Sequence, residues 1–119
     1  MEELTKTEER IMQVFWKLKK AFVKEVIDHL PDDPKPPYNT ISSVVRLLEQ
    51  KGYLGYTAYG KSHQYYPLIS KAAYQKKYLK KILRSYFENS PAALMSFLVR
   101  EEGLSDEERA ALKKIIDES

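Results

Sequence analysis

Apolar side chains recur every three or four residues in the N-terminal part of the chain, which is the spacing of one helix face. A first helix is predicted to start near Thr5, because Thr5 and Glu8 match a capping box, in which each side chain accepts a hydrogen bond from the other residue's backbone N–H. A second, shorter helix is predicted over residues 22–30. The proline-rich segment 31–37 ends it, since proline clashes with the preceding helical turn and donates no hydrogen bond.

A third helix is predicted next, with Asn39 or Thr40 as its N-cap. Gly52 is expected just past its end, where a left-handed backbone favours glycine. Beyond it the hydrophobic period shortens towards two and tyrosine and threonine become frequent, which predicts two strands joined by a turn at Gly60. Three helices followed by a hairpin predict a winged helix-turn-helix domain over residues 1–69.

Residues 70–119 are predicted to form three further helices that act as a dimerisation domain. Their apolar positions exceed what three short helices can bury against one another, and an amphipathic face has to pack against something. A second copy of the chain is the expected cover. The predicted contact residues are Tyr74, Tyr78, Ile82, Tyr86, Leu94, Leu98, Leu112, Ile115 and Ile116. The predicted fold class is therefore mainly α with a small β-hairpin wing: a winged helix-turn-helix domain followed by a C-terminal three-helix dimerisation domain.

The net charge of +3 conceals an uneven distribution of charge along the chain. Residues 35–70 carry four basic side chains and one acidic one, and residues 71–87 carry six basic side chains and no acidic one. The two ends, 1–34 and 88–119, are net acidic. A basic region confined to the middle of the chain indicates a partner that is a polyanion.

The composition argues against several other classes of protein. The chain has no cysteine, which excludes disulfides and thiolate metal sites. No apolar run approaches the roughly 18–20 residues of a membrane span, and the acidic N-terminus lacks the apolar core of a signal peptide. We therefore expect a cytoplasmic protein without membrane insertion. Neither His29 nor His63 belongs to a catalytic motif, so we predict no enzymatic activity, no metal and no cofactor.

The third helix and the hairpin carry side chains that suit double-stranded DNA. A helix in the major groove needs small polar side chains near its N-terminus and a cation or amide that can hydrogen-bond to a base edge. The hairpin tip adds polar groups that could reach phosphate. The predicted DNA-binding residues are Asn39, Thr40, Ser42, Ser43, Arg46, Tyr59, Lys61, Ser62 and His63.

The residues leave two alternatives open. The chain could be a winged-helix module that binds protein instead of DNA, although the acidic or apolar side chains expected on the outer face of such a helix are limited to Glu49 and Leu47. The basic side chains of residues 71–87 could be an ordinary solvated helix face, which is the commoner role of a charge run, or could attract phosphate without reading sequence.

Short segments in a fixed order carry a family resemblance. They are Leu4-Thr5 with Glu8, Ile11-Met12 with Trp16, Val23-Lys24-Glu25-Val26, Thr40-Ile41, Lys51-Gly52-Tyr53-Leu54, Tyr65-Tyr66-Pro67-Leu68-Ile69 and Leu104-Ser105. This set resembles the penicillinase-repressor/methicillin-repressor (BlaI/MecI) family of bacterial transcriptional repressors. The resemblance implies a homodimer that binds a palindromic operator and represses transcription without a ligand or metal. It also implies release from DNA when a membrane sensor-protease cuts the dimerisation domain.

Two departures from the family pattern bear on function. The family often has an Arg-Leu pair shortly before the Lys-Gly pair, whereas this chain has Leu47-Leu48 there and Arg46 one position earlier. That shift rotates the cation by about 100° around the helix. The family cleavage site is typically an Asn-Phe bond, for which Ser96-Phe97 is the nearest chemical analogue and Phe97-Leu98 the gapless match. The candidate cleavage region is therefore Ser96, Phe97 and Leu98.

Overall fold

The computed structural model describes residues 3–101, 103 and 105–118, except for the side chains of residues 101, 112, 113 and 115–118. Within that part the elements are α1 Lys6–Leu18, α2 Val23–His29, α3 Tyr38–Gln50, β1 Leu54–Tyr59, β2 Ser62–Pro67, α4 Lys71–Tyr86, α5 Pro91–Glu101 and α6 Asp106–Glu118. Contacts divide the chain into a first unit, Met1–Tyr74, and a second unit, Gln75–Ser119. None of the described helices is long and apolar enough to cross a lipid bilayer.

The start of α1 confirms the predicted capping box. The Thr5 hydroxyl accepts a hydrogen bond from the Glu8 N–H at 3.2 Å, and the Glu8 carboxylate accepts one from the Thr5 N–H at 2.9 Å. Behind this cap, the predicted face of α1 packs inward, and Phe15 is completely buried. Local sequence is enough to start and orient this helix, because the cap and the apolar stripe both act within a few residues.

The third helix begins earlier than predicted. Its N-cap is Pro37, in extended conformation, and the Pro37 carbonyl accepts hydrogen bonds from the N–H groups of Thr40 and Ile41 at 3.2 and 3.3 Å. The ring of proline fixes φ near the value found here, −60°. Asn39 and Thr40 therefore lie inside the first turn and do not cap it, so the expectation that one of them would be the N-cap is wrong.

The end of α3 and the hairpin follow the predicted pattern. Gly52 has a φ of 87°, and Gly60 in the hairpin turn has a φ of 63°, which is the left-handed region that favours glycine. Strands β1 and β2 are antiparallel, with Tyr56 opposite Tyr65. The Ala21 and Tyr65 backbones also exchange two hydrogen bonds, both of 2.9 Å. The connection between α1 and α2 is thus hydrogen-bonded to β2, on the edge of that strand opposite β1.

The hydrophobic core of the first unit lies between α1, α2, α3 and the base of the hairpin. Its members are Leu4, Ile11, Met12, Phe15, Ala21, Val23, Val26, Leu30, Ile41, Val45, Leu48, Tyr53, Leu54, Tyr65 and Tyr74. Every one of the three helices contributes to this single cluster, so α3 is held from behind while its outer face stays open.

A buried ion pair joins two of these helices. Glu8 is 2% exposed, and the Lys51 ammonium donates to its Oε1 at 2.8 Å and lies 2.8 Å from its Oε2. Burial by itself raises the pKa of Glu8, but the hydrogen bonds from Lys51 and Thr5 outweigh burial and lower that pKa below its usual value. The pair connects the first turn of α1 to the C-cap of α3.

Tyr74 lies in the core of the first unit although it belongs to α4. Its side chain is 8% exposed, and its ring centroid lies 5.5 Å from that of Trp16 and 6.1 Å from that of Tyr53. The Trp16 indole N–H donates to the Ile69 carbonyl at 2.9 Å, just before α4. One chain alone therefore covers most of the Tyr74 ring, which leaves little of it for the dimer contact predicted above.

The second unit consists of the remainder of α4, α5 and α6. Ser105 and Glu108 form a second capping box, with hydrogen bonds of 3.1 and 3.3 Å. Phe87 and Phe97 pack edge to face with centroids 5.7 Å apart. None of the described side chains in this unit is fully buried. The side chains of Leu112, Ile115 and Ile116, predicted dimer contacts, lie outside the described part of the chain.

Candidate nucleic-acid interface

An open groove lies between α3, the start of α2 and the tip of the hairpin. Ser42 and Arg46 line it from α3, and Lys61, Ser62 and His63 line it from the hairpin turn and β2. These five predicted DNA-binding residues are separated by up to twenty-one positions in sequence. The structure brings them together because the hairpin folds back beside α3, and we call this surface the α3–wing groove.

The other predicted DNA-binding residues lie outside the α3–wing groove. Asn39, Thr40 and Ser43 are exposed on α3. The Ser43 hydroxyl donates to the Asn39 carbonyl at 2.9 Å, so part of its hydrogen-bonding capacity is used within the helix. Tyr59 ends β1 with 56% of its surface exposed, and its ring lies 6.0 Å from that of Phe22.

Six further residues line the groove that the sequence pattern does not identify. They are Phe22, Val23, Lys24, Glu25, Tyr38 and Tyr65. Tyr38 precedes Ser42 by four residues and Arg46 by eight, so helical spacing would have placed it on their stripe had the true start of α3 been known. No comparable local signal exists for Phe22, because it reaches the groove only through the packing of α2 beside α3.

A stack of aromatic rings stiffens the hairpin side of the groove. The rings of Tyr56 and His63 are nearly parallel, 8° apart, with centroids separated by 4.2 Å. Tyr65 packs at an angle against both, at 5.8 Å from Tyr56 and 6.1 Å from His63. His63 pairs with Ala58 across the hairpin, so its contact with Tyr56 is a diagonal one within reach of large rings. The stack fixes the direction in which His63 points.

The charges around the groove favour an anionic partner. Lys24, Arg46 and Lys61 line it, whereas its acidic member, Glu25, is occupied as the acceptor of a 2.9 Å hydrogen bond from the Phe22 N–H. Burial raises the pKa of the Tyr65 phenol, and the nearby Arg46 guanidinium partly opposes that rise. Tyr65 therefore stays neutral and adds no negative charge. The groove presents cations and hydroxyl groups, which suit phosphate oxygens and base edges.

Three helices around one core, followed by a β-hairpin that lies beside the third helix, define the winged-helix class of proteins. The chain belongs to the penicillinase repressor family, whose sequence profile matches residues 4–118. Members of this family are transcriptional regulators and not enzymes.

Individual relatives agree with this assignment. The methicillin resistance regulatory protein MecI of Staphylococcus aureus strain N315 is 24% identical over 115 residues, which cover 97% of this chain and 94% of that protein. MecI of Staphylococcus epidermidis gives the same values. The solution structure of the DNA-binding domain of the repressor BlaI matches with a TM-score of 0.52 and 28% identity, covering 60% of this chain and 88% of that one.

Proposed function

We propose that the protein is a homodimeric transcriptional repressor that binds a palindromic DNA operator. The observation that carries this proposal is the α3–wing groove, where Arg46 from α3 and Lys61 from the hairpin share one surface. A cation on the helix and a cation on the wing can then contact a base edge and a phosphate of the same DNA segment. Membership of the penicillinase repressor family supports the same function.

In this proposal α3 enters the major groove. The small side chains of Asn39, Thr40, Ser42 and Ser43 allow close approach, and Arg46 hydrogen-bonds to a base. The N-cap Pro37 makes no side-chain hydrogen bond to the helix, so the N–H groups of Tyr38 and Asn39 can donate to a phosphate, an arrangement that the helix dipole favours. Because Arg46 stands one position before the usual family arginine, we expect an operator sequence of its own.

The wing contacts the DNA backbone next to the major groove. Lys61 lies at the turn, and the stack on Tyr56 holds His63 in place beside it. Lysine is a flexible point charge that suits phosphate and carries no sequence information. The wing therefore adds affinity for any DNA, whereas α3 supplies the preference for the operator.

Substitution of the two cations tests this division of labour. With an operator selected from a random-sequence duplex library, Arg46→Ala should lose about 1–3 kcal/mol on the operator and little on random DNA. Lys61→Ala should weaken both and lower the salt slope of binding by about 1. Lys17→Ala, an exposed cation on α1 that does not line the groove, is the control. If Arg46→Ala binds the operator and random DNA with unaltered affinities, Arg46 does not contact a base. If the wild type selects no sequence from the library, the result favours a winged-helix module that binds protein instead of DNA.

The second unit is proposed to provide the dimer contact. Tyr78 is 46% exposed, Tyr86 78% and Phe97 44%, while Ile82, Leu94 and Leu98 are only half-buried. Helices that leave so much apolar surface to water are stabilised by packing against a second copy. Two copies would also place two α3 helices on half-sites about 34–36 Å, or a multiple of that, apart.

Sedimentation equilibrium measures this contact directly. Leu98→Asp should give a monomer at concentrations where the wild type is a dimer, and should weaken operator binding, because a carboxylate cannot be buried in an apolar interface without a partner. Ala92→Asp, on an exposed position in the first turn of the same helix, should leave the dimer intact. A wild type that stays monomeric at high concentration contradicts the proposal.

Release from the operator is proposed to follow cleavage of α5 by a membrane sensor-protease, at Ser96-Phe97 or Phe97-Leu98. Proteases act on locally unfolded chain, and α5 can open at low cost since none of its described side chains is fully buried. Mass spectrometry of the protein from β-lactam-treated host cells should find fragments that end at residue 96 or 97. Derepression with an intact chain would exclude this route.

A further inference from the structure

One face of α4 carries a block of positive charge that the operator contacts proposed above do not use. Lys76, Lys77, Lys80 and Arg84 are all exposed, and at 100° per residue they fall within an arc of about 100° of the helix. We call them the α4 basic ridge. The apolar stripe of the same helix, which includes Ile82 and Tyr86, lies on the other side.

No described residue neutralises the α4 basic ridge. Residues 71–87 contain no acidic side chain, and among the described residues none forms an ion pair with a member of the ridge. The ridge also contains two pairs of like charges four positions apart, Lys76 with Lys80 and Lys80 with Arg84. Like charges at this spacing destabilise a helix. A polyanion bound along the ridge would remove that repulsion.

The length and chemistry of the ridge suit duplex DNA. From Lys76 to Arg84 a helix rises about 12 Å, whereas duplex DNA carries one negative charge per about 1.7 Å of its axis. Flexible ammonium groups can contact several phosphates over that distance without reading the bases.

We propose that the α4 basic ridge binds backbone phosphates of duplex DNA outside the operator and adds affinity that does not depend on sequence. The inference rests on the proposed operator binding. An anionic membrane is the competing polyanion. It is disfavoured because a helix on a membrane buries its apolar face among lipids, and in α4 that face is proposed to make the dimer contact.

The test compares two duplexes, one that ends at the operator boundary and one that extends about 20 base pairs, roughly two helical turns, beyond it on each side. In the full-length protein, the triple variant K76Q/K80Q/R84Q should bind the long duplex roughly tenfold or more weakly, with a salt slope smaller by about 0.9 for each lost phosphate contact. Its affinity for the short duplex, and its preference for operator over random sequence, should stay unchanged. The control variant K6Q/K17Q/K114Q removes equal charge from exposed positions elsewhere and should leave the difference between the duplexes intact.

Several results would overturn the inference. Equal effects of the triple variant on both duplexes, or no effect on either, exclude a contact outside the operator. Ridge-dependent binding to phosphatidylserine vesicles, with DNA binding unaltered, assigns the ridge to membranes. Should the triple variant lose its dimer in sedimentation, Lys77→Gln alone decides in the same assay. A wild type that binds no operator refutes the proposed function itself. If the wild type binds the operator but the triple variant has the same salt slope as the wild type, only this inference is refuted.

Discussion

Removal of the charge on Glu8 should destabilise the first unit even though this residue does not line the α3–wing groove. In Glu8→Gln the amide oxygen can still accept a hydrogen bond, and glutamine is compatible with a capping box, so the change isolates the charge. Breaking a buried ion pair by losing one partner costs about 3–5 kcal/mol. Because the Lys51 side chain is 14% exposed and keeps an acceptor, we expect a loss of about 2 kcal/mol, the size of a hydrogen bond to a charged group.

Urea unfolding followed by tryptophan fluorescence measures this loss in the first unit. Trp16 is the single tryptophan of the chain and packs against Tyr74. Lys51→Met should also destabilise, since it leaves the Glu8 carboxylate buried without its cation. The double variant E8Q/K51M should lose less than the sum of the two single variants, because neither charge remains buried alone.

The dependence on pH has a definite sign. The folded state lowers the pKa of Glu8, so ionised Glu8 stabilises the fold above its unfolded pKa of about 4.3. That stabilisation is lost as the pH falls through the lower, folded value. The difference between wild type and Glu8→Gln should be complete at pH 7 and shrink below about pH 4. An unchanged urea midpoint at pH 7, or a difference that stays constant down to pH 3, would refute the assignment of the effect to the Glu8 charge.

Two further predictions concern packing. Trp16→Phe removes the hydrogen bond to the Ile69 carbonyl and should cost about 1–3 kcal/mol, since a partly buried acceptor loses its partner. Urea unfolding followed by circular dichroism measures this cost, because the variant lacks the single tryptophan of the chain. Val14→Ala, a half-buried neighbour without that bond, provides the comparison, and an unaffected Trp16→Phe midpoint would contradict the prediction. In Gly55→Ala the new Cβ would lie 2.9 Å from the Tyr66 ring, so the substitution should stabilise, by about 0.4–1 kcal/mol, only when Tyr66 is alanine too; equal effects in both backgrounds would show that the ring yields freely.

The local signals in the sequence identified most of the first unit. The capping box at Thr5, the left-handed backbone at Gly52 and the hairpin turn at Gly60 are confirmed, because each depends on residues within about four positions of one another. The same reliance on local signals makes the predicted N-cap of α3 wrong. Asn39 and Thr40 are good caps in isolation, but Pro37 already fixes the backbone in the conformation that starts the helix.

The α3–wing groove could be predicted only in part. The polar character of Arg46, Lys61 and His63 was visible in the sequence, since such residues at a helix face and a turn are typical of DNA contact. The contributions of Phe22 and the stack of Tyr56 on His63 were not. Both depend on which elements lie side by side, and sequence spacing does not report distances between elements.

The sequence by itself determined the class of this protein. Three features define that class: the order of the helices and hairpin, the concentration of positive charge in the middle of the chain, and the family segments. Each can be read from a short stretch of sequence. The tertiary structure alone decided that Glu8 pairs with Lys51 across 43 positions, that Ala21 supports the hairpin at Tyr65 and that the core of the first unit takes up Tyr74. These contacts join residues far apart in sequence, and whether such residues meet is settled by the packing of the whole core.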